Sequence, residues 1–298
     1  MSSDGTWHEV RRPDGRVIEA VASGPATPTT LVFHNGTPTA ALLSEPIVAS
    51  AARHGMTVVM FSRPGYAGSS PQPGRSVADV AADTEAVLDA IGAQTFVTIG
   101  WSGGGPHALA CAALLPDRCR AAVSLAGVAP YGVDGLDFLA SMGDENIEEF
   151  GAALEGIEPL TKFLEAFAPV LAELTGADIA ASLGDLISGP DAAALTGEFA
   201  DYMAATLRRA VSNGVEGWRD DDLAFTQDWG FDLAAIQRPV AVWQGAQDRM
   251  VPFAHGEWLA ANVPGAVQRL FPDEGHLSLA VARLDDIVDD LVTLAGGQ

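Results

Sequence analysis

Gly100-Trp101-Ser102-Gly103-Gly104 sets a serine between two glycines, where the apolar run Phe96-Val97-Thr98-Ile99 ends and a helical stretch opens on Pro106. A Gly-x-Ser-x-Gly turn at a strand-to-helix junction holds its serine in a strained backbone conformation. The flanking glycines are needed because a side chain there would collide with the crossing backbone. The chemistry such a turn offers is nucleophilic. The hydroxyl stands in the open, and the helix N-terminus behind it, with the backbone N–H of Gly103, faces the place where negative charge develops on an attacked carbonyl.

A serine hydroxyl is a weak nucleophile until a base takes its proton, so Ser102 calls for a histidine and an acid to orient that histidine. The chain has six histidines. His8 falls in a hairpin, His54 at a helix end and His255 in the first turn of a helix, and all three read as surface residues. His107 lies one turn into the helix after the serine, where it packs or contacts a pocket wall. His276 differs: it closes Asp273-Glu274-Gly275-His276, after the last apolar strand and before the final helix, on the loop side of a sheet where ligands bind. Asp248 follows the run Val240 to Trp243 through a short turn and is the acid from another strand end. Asp134 is a distant competitor, and Asp273 and Glu274 are too close to His276 in sequence to face its ring. The candidate order is Ser102, Asp248, His276.

Positioning these residues requires a sheet. Val10 and Val17-Ile18 flank the turn Arg12-Pro13-Asp14-Gly15, which reads as a hairpin. Beyond it, Leu31-Val32-Phe33, Thr57 to Phe61, Phe96 to Ile99, Ala122 to Leu125, Val240 to Trp243 and Val267 to Phe271 read as buried parallel strands. Helices alternate with them: Thr39 to His54 stopped by Gly55, Ser76 capping a run to Ile91 with Asp79 as its capping-box partner, and Pro106 to Leu115 stopped by Pro116. Alternation of this kind predicts an α/β fold, a mostly parallel central sheet flanked by helices. Residues 131–230 hold no apolar strand run and are rich in Ala, Leu and Glu at helical spacing, which predicts an all-helical insertion between core segments 1–130 and 231–298. Its acidic clusters, Asp144-Glu145 with Glu148-Glu149 and Asp220-Asp221-Asp222, read as solvated faces, with calcium binding a remote alternative.

These motifs, in this chain order and over nearly the whole sequence, resemble the α/β-hydrolase superfamily in its serine-nucleophile branch. Phe61-Ser62-Arg63-Pro64-Gly65-Tyr66-Ala67-Gly68-Ser69 is similar to that family's Asp-Arg-Pro-Gly-x-Gly-x-Ser loop, departing at Ser62 and Ala67. His34-Asn35-Gly36-Thr37-Pro38 resembles its His-Gly-x-Pro oxyanion loop with one residue inserted, which implies the Thr37 N–H as a second oxyanion donor beside Gly103. The insertion looks like the helical cap that closes over such sites, with His34, Asn35, Trp101, His107, Phe138 and Met142 as candidate pocket residues. The resemblance implies hydrolysis of a small-molecule carboxylic ester through an acyl-enzyme; no metal-ligand spacing or phosphate-binding glycine loop appears in the sequence, so the expectation is no cofactor and no metal. Serine in place of aspartate at the nucleophile argues against haloalkane dehalogenase and epoxide hydrolase chemistry. A prolyl-iminopeptidase-like activity ranks second, because that branch usually reads Gly-x-Ser-Trp-Gly at the nucleophile. Carbon–carbon bond hydrolases, lactonases and perhydrolases use the same triad. A receptor that fills the capped pocket without turnover is the alternative outside enzymes.

Composition narrows the partners. The 298 residues carry 16 basic and 39 acidic side chains, a formal net charge of −23, so contact with nucleic acid or an anionic membrane works against the summed field. Cys111 and Cys119 are too few for a disulfide framework and read as reduced thiols. Met1-Ser2-Ser3-Asp4-Gly5 has neither a basic nor an apolar leader region, and no apolar run approaches the ~20 residues a membrane span needs, so the expectation is a cytoplasmic protein.

Overall fold

A computed structural model describes residues 5–297; the opening Met1 to Asp4 and the last residue, Gln298, lie outside the described residues. The chain begins with the hairpin strands β1 (Thr6–Arg11) and β2 (Val17–Ala22), joined by a turn in which Gly15 takes φ +89° and gives its N–H to Arg12 O at 3.0 Å. Then follow β3 (Thr29–His34), α1 (Glu45–Arg53), β4 (Thr57–Phe61), α2 (Val80–Ile91), β5 (Thr95–Trp101), α3 (Gly105–Leu114) and β6 (Cys119–Leu125). The insertion contributes α4 (Asp144–Glu155), α5 (Ile157–Ala172), α6 (Ile179–Ser182), α7 (Gly189–Ala194), α8 (Gly197–Ala210) and α9 (Glu216–Phe225), with no strand among its described residues. The core resumes with β7 (Val240–Gly245), α10 (Phe253–Asn262), β8 (Val267–Phe271), α11 (His276–Ala282) and α12 (Leu284–Gly296).

The eight strands form one sheet in the order β1-β2-β4-β3-β5-β6-β7-β8, antiparallel at β1, β2 and β4 and parallel from β4 onward. Alternate residues of a strand face opposite layers: Val240 and Val242 pack toward α2, α3 and α10, whereas Ala241 and Trp243 pack toward α1 and α12. Both faces are therefore covered, which is why the inner strands read as unbroken apolar runs. The edge strand β8 is only half-buried. The capping box at Ser76 forms as the spacing predicts, with Asp79 Oδ2 accepting from the Ser76 N–H at 2.7 Å.

One helix starts later than its pattern. Instead of beginning at Thr39, α1 begins at Glu45 with Pro46 in its first turn, where a missing N–H costs nothing. The intervening residues are used otherwise: Thr39 Oγ1 donates to Gly36 O at 2.7 Å and Ala41 N–H to Ser62 Oγ at 3.1 Å. Among the described residues no helix is long and apolar enough to cross a membrane.

Candidate active site

The parallel strands deliver their loops to one rim, at the carboxyl ends of β3, β5, β7 and β8. Ser102 follows β5 directly and has φ +56°, in the left-handed region that a residue with a Cβ seldom takes. The turn is possible because its neighbours are glycines. A Cβ on Gly100 would fall on the Gly104 carbonyl oxygen, and one on Gly104 would fall on the His34 carbonyl oxygen. The loop after β3 passes so close that a Cβ on Gly36 would lie 3.3 Å from the Ser102 Cβ.

His276 is the first residue of α11, and Asp248 follows β7. The His276 Nδ1 and Asp248 Oδ2 atoms are 2.8 Å apart, both side chains buried. Asp248 is itself held by three donors: Gln244 Nε2 at 2.9 Å on Oδ2, and the Met250 and Val251 N–H groups at 2.9 and 2.8 Å on Oδ1. Trp101 stacks on the imidazole at 5.8 Å between ring centroids. Burial pulls the His276 pKa down, but the charge and hydrogen bond of Asp248, helped by Asp191, more than offset it and leave it above the ordinary value of 6.5. Ser102, Thr37, Gly103 and His276 line one cavity, with no direct hydrogen bond between Ser102 Oγ and His276 among the described residues. Such contacts are often long without substrate.

The structure separates the remaining candidates. Of the six expected pocket residues only Trp101 lines the cavity. His34 is buried with Nε2 3.5 Å from Cys111 Sγ, and His107 Nδ1 lies 2.8 Å from Gly103 O inside α3. Burial, reinforced by the Arg63 cation, lowers the His34 pKa to about 3 and that of His107 well below 6.5, so neither takes up protons near neutral pH. Asn35 offers its carbonyl inward to Arg63 at 2.5 Å. Phe138 packs on Phe150 and His255, and Met142 is buried with it away from the cavity. His255 is not a surface residue. Its Nδ1 accepts the Ala129 N–H at 3.1 Å and its Nε2 is 2.8 Å from Phe138 O, so both ring nitrogens are satisfied and burial is tolerated.

The acidic clusters are the larger correction, because Glu149 and all of Asp220, Asp221 and Asp222 are buried. Asp221 is 0% exposed and sits in a network that joins the insertion to the core. It accepts from Arg63 Nη2 at 2.5 Å, Arg75 Nη2 at 2.6 Å, Thr37 Oγ1 at 2.7 Å and Tyr66 OH at 2.9 Å. Arg63 Nη2 also reaches Gly36 O and Thr37 Oγ1, each at 2.9 Å, so the loop beside Ser102 is clamped from below by ions. Burial alone would raise the Asp221 carboxyl, but Arg63 and Arg75 hold it below the ordinary carboxylate range. The sequence carried one signal for this. Consecutive residues on a helix are about 100° apart, so three acids in a row cannot all face solvent from one side.

Glu149 and Asp222 meet in the cavity wall, with Trp218 Nε1 donating to Glu149 Oε1 at 2.6 Å. Burial pushes the Glu149 pKa up to about 7, and burial with the Glu149 charge pushes Asp222 well above its ordinary value, so the pair holds a proton near neutral pH. A carboxyl whose folded pKa is raised loses stability as pH climbs from its unfolded value of 4.5 to about 7. Glu149→Gln, which keeps the acceptor for Trp218, is therefore expected to raise Tm by roughly 5 °C at pH 8 and to leave it nearly unchanged at pH 5. Differential scanning calorimetry at the two pH values reads this; an equal shift at both would mean that the charge is not the cause. No group of metal-ligating residues occurs among the described residues.

Comparison with known proteins places the chain by family and fold. Residues 29–282 match the family model described as the alpha/beta hydrolase fold. The pimeloyl-[acyl-carrier protein] methyl ester esterase of Chromobacterium violaceum is 30% identical over 220 residues, 74% of this chain and 76% of that protein. The 2-hydroxy-6-oxononadienedioate/2-hydroxy-6-oxononatrienedioate hydrolase 2 of Pseudomonas putida is 27% identical over 236 residues, 78% of this chain and 73% of that protein. Among solved structures, a hydrolase from Pseudomonas aeruginosa PA01 superposes with a TM-score of 0.69 at 21% identity, covering 100% of both chains, and shows the same fold. With its family model spanning most of the chain, its mostly parallel eight-stranded sheet and its strained serine turn, the chain belongs to the α/β-hydrolase fold family of hydrolases.

Proposed function

We propose that this hydrolase cleaves a small-molecule carboxylic ester through an acyl-enzyme intermediate. The observation that carries the reading is a serine at φ +56° after β5, opening into the cavity lined by an imidazole that a buried carboxylate holds at 2.8 Å. In this reading neutral His276 takes the proton of Ser102 as its oxygen attacks the ester carbonyl, then returns a proton to the departing alcohol. Water, deprotonated by the same imidazole, releases the acid. Asp248 fixes the tautomer with the proton on Nδ1, and the Thr37 and Gly103 N–H groups hold the oxyanion. The helical insertion is the cap: Phe150, Leu186, Met203, Leu207 and Phe225 come from it into the cavity wall and supply an apolar surface for the acyl or alcohol group. The esterase relative supports ester cleavage, although the 2-hydroxy-6-oxononadienedioate/2-hydroxy-6-oxononatrienedioate hydrolase relative is about as similar.

One observation favours a second reading, an aminopeptidase. Glu145, Glu149 and Asp222 line the cavity, and no lysine or arginine is among its lining residues. Such a wall disfavours a substrate that carries a free carboxylate, unlike the dioate in the name of the second relative, and suits an amino group. The two readings separate on substrates. A fluorophosphonate probe should label Ser102 alone, and nitrophenyl esters of short and medium acids should turn over faster than aminoacyl anilides. The reverse order would establish the peptidase, and labelling without any turnover would leave a binder.

A further inference from the structure

The carboxylate bound to the backbone of His276 belongs to Asp191, a fully buried residue of α7 in the insertion. Its Oδ2 accepts the His276 N–H at 3.1 Å, and its Oδ1 accepts the Leu277 and Ser278 N–H groups at 2.7 and 2.9 Å. Ser188 adds its own N–H and Oγ at 3.2 and 2.9 Å. Gly275 packs against the same group so tightly that a Cβ there would fall on both carboxylate oxygens. The first three N–H groups of α11, which lack partners inside that helix, are thus met by one side chain of the insertion, 85 residues earlier in the chain.

We propose that Asp191 is a positioning residue for His276, so that the base stands correctly over Ser102 only while the insertion is docked. This rests on the hydrolytic reading of Ser102, Asp248 and His276. Asp248, bound at Nδ1, fixes how the imidazole is turned about its own axis. It does not fix where the ring stands relative to Ser102, which depends on where the α11 backbone begins. Asp191 sets that point by three bonds, and its residue lies on a different segment from both the serine and the acid. Its negative charge also acts with that of Asp248 on the imidazole. The other charges around α11 are turned elsewhere: Arg283, opening α12, pairs with Glu274 at 3.6 Å and Asp286 at 3.4 Å, and α11 itself has no titratable residue besides His276.

Two substitutions and two readouts test this. Asp191→Ala removes all the acceptors, and Asp191→Asn keeps one oxygen without the charge. With a nitrophenyl ester, kcat is expected to fall about 10²-fold in Asp191→Ala, KM changing far less, and by a smaller factor in Asp191→Asn. In both variants the acid limb of kcat/KM, and the His276 titration followed by NMR, should move to lower pH. Ser188→Ala loosens the same turn while leaving the carboxylate in place, so it should lower Tm without moving the limb. If Asp191→Ala does not fold, Asp191→Asn alone decides. Wild-type kcat and an unshifted His276 titration in Asp191→Asn would overturn the proposal. Should the wild-type protein turn over no ester, the ester reading fails, whereas the NMR titration still reports whether Asp191 acts on His276.

Discussion

Ser102→Ala is expected to lower ester turnover by about 10⁶-fold. The loss should be confined to chemistry. No hydrogen bond of the Ser102 side chain occurs among the described residues, and alanine at φ +56° carries the same backbone strain, so Tm should stay within about 2 °C. Activity would not reach zero even in a perfectly folded variant. The Thr37 and Gly103 N–H groups remain beside the cavity, and polarisation of a bound carbonyl by such donors leaves roughly 10³-fold acceleration over water. Steady-state assays with nitrophenyl esters, together with mass spectrometry after fluorophosphonate treatment, measure both consequences. A variant with wild-type turnover would sink the hydrolytic reading outright.

The second large effect belongs to Asp248→Asn, for which turnover should drop about 10⁴-fold while the fold persists. The Asn oxygen can still accept from Met250 and Val251, which now bind Asp248 Oδ1 at 2.9 and 2.8 Å. Its amide, however, faces His276 Nδ1 and drives the imidazole proton to Nε2, the atom that must accept from Ser102. The pH profile carries a signature with a definite sign. His276 works as the neutral base and its pKa lies above 6.5, so kcat/KM of the wild type should fall as pH drops through neutrality and recover above it. In the variant the Asp248 charge is gone, burial dominates, and the residual activity should hold to lower pH. A limb that stayed fixed between the two proteins, measured from pH 5 to 9, would mean that another group titrates.

How much of this could be read from the sequence depended on whether the signal was local. Each strand run predicted from its β-branched residues lies within an observed strand, and the Ser102 turn announced itself through the glycines that the crossing backbone demands. The fold class was legible for the same reason. What the sequence hid was pairing over distance. Asp221 meets Arg63 across 158 positions and Asp191 meets His276 across 85, and no periodicity encodes such partners. Acidic residues on a helix normally seek water, so Asp220 to Asp222 read as surface until their partners, cations for Asp220 and Asp221 and the Glu149 carboxyl for Asp222, were placed. His255 misled in the same way, since its two backbone partners, Ala129 and Phe138, lie more than 100 residues earlier. The late start of α1 followed from tertiary demand, because residues 35–44 serve the loop beside the serine before any helix can begin.

Asp221 has a further consequence for how a ligand gets in. Lifting α9 away from the sheet would take Asp221 with it and strand two guanidinium groups in a dry interior, a penalty of about 3–5 kcal/mol for each broken partnership. Swinging out α7 would likewise leave three amide protons of α11 bare. Opening is expected to cost less at the start of α4 and at residues 184–186, whose ties to the core include an exposed Arg249–Asp185 pair at 3.3 Å and amide contacts from Asn146 to Met250 O at 3.0 Å and from Gly143 N–H to Arg249 O at 2.8 Å. A ligand is expected to enter where no interior charge pair has to part.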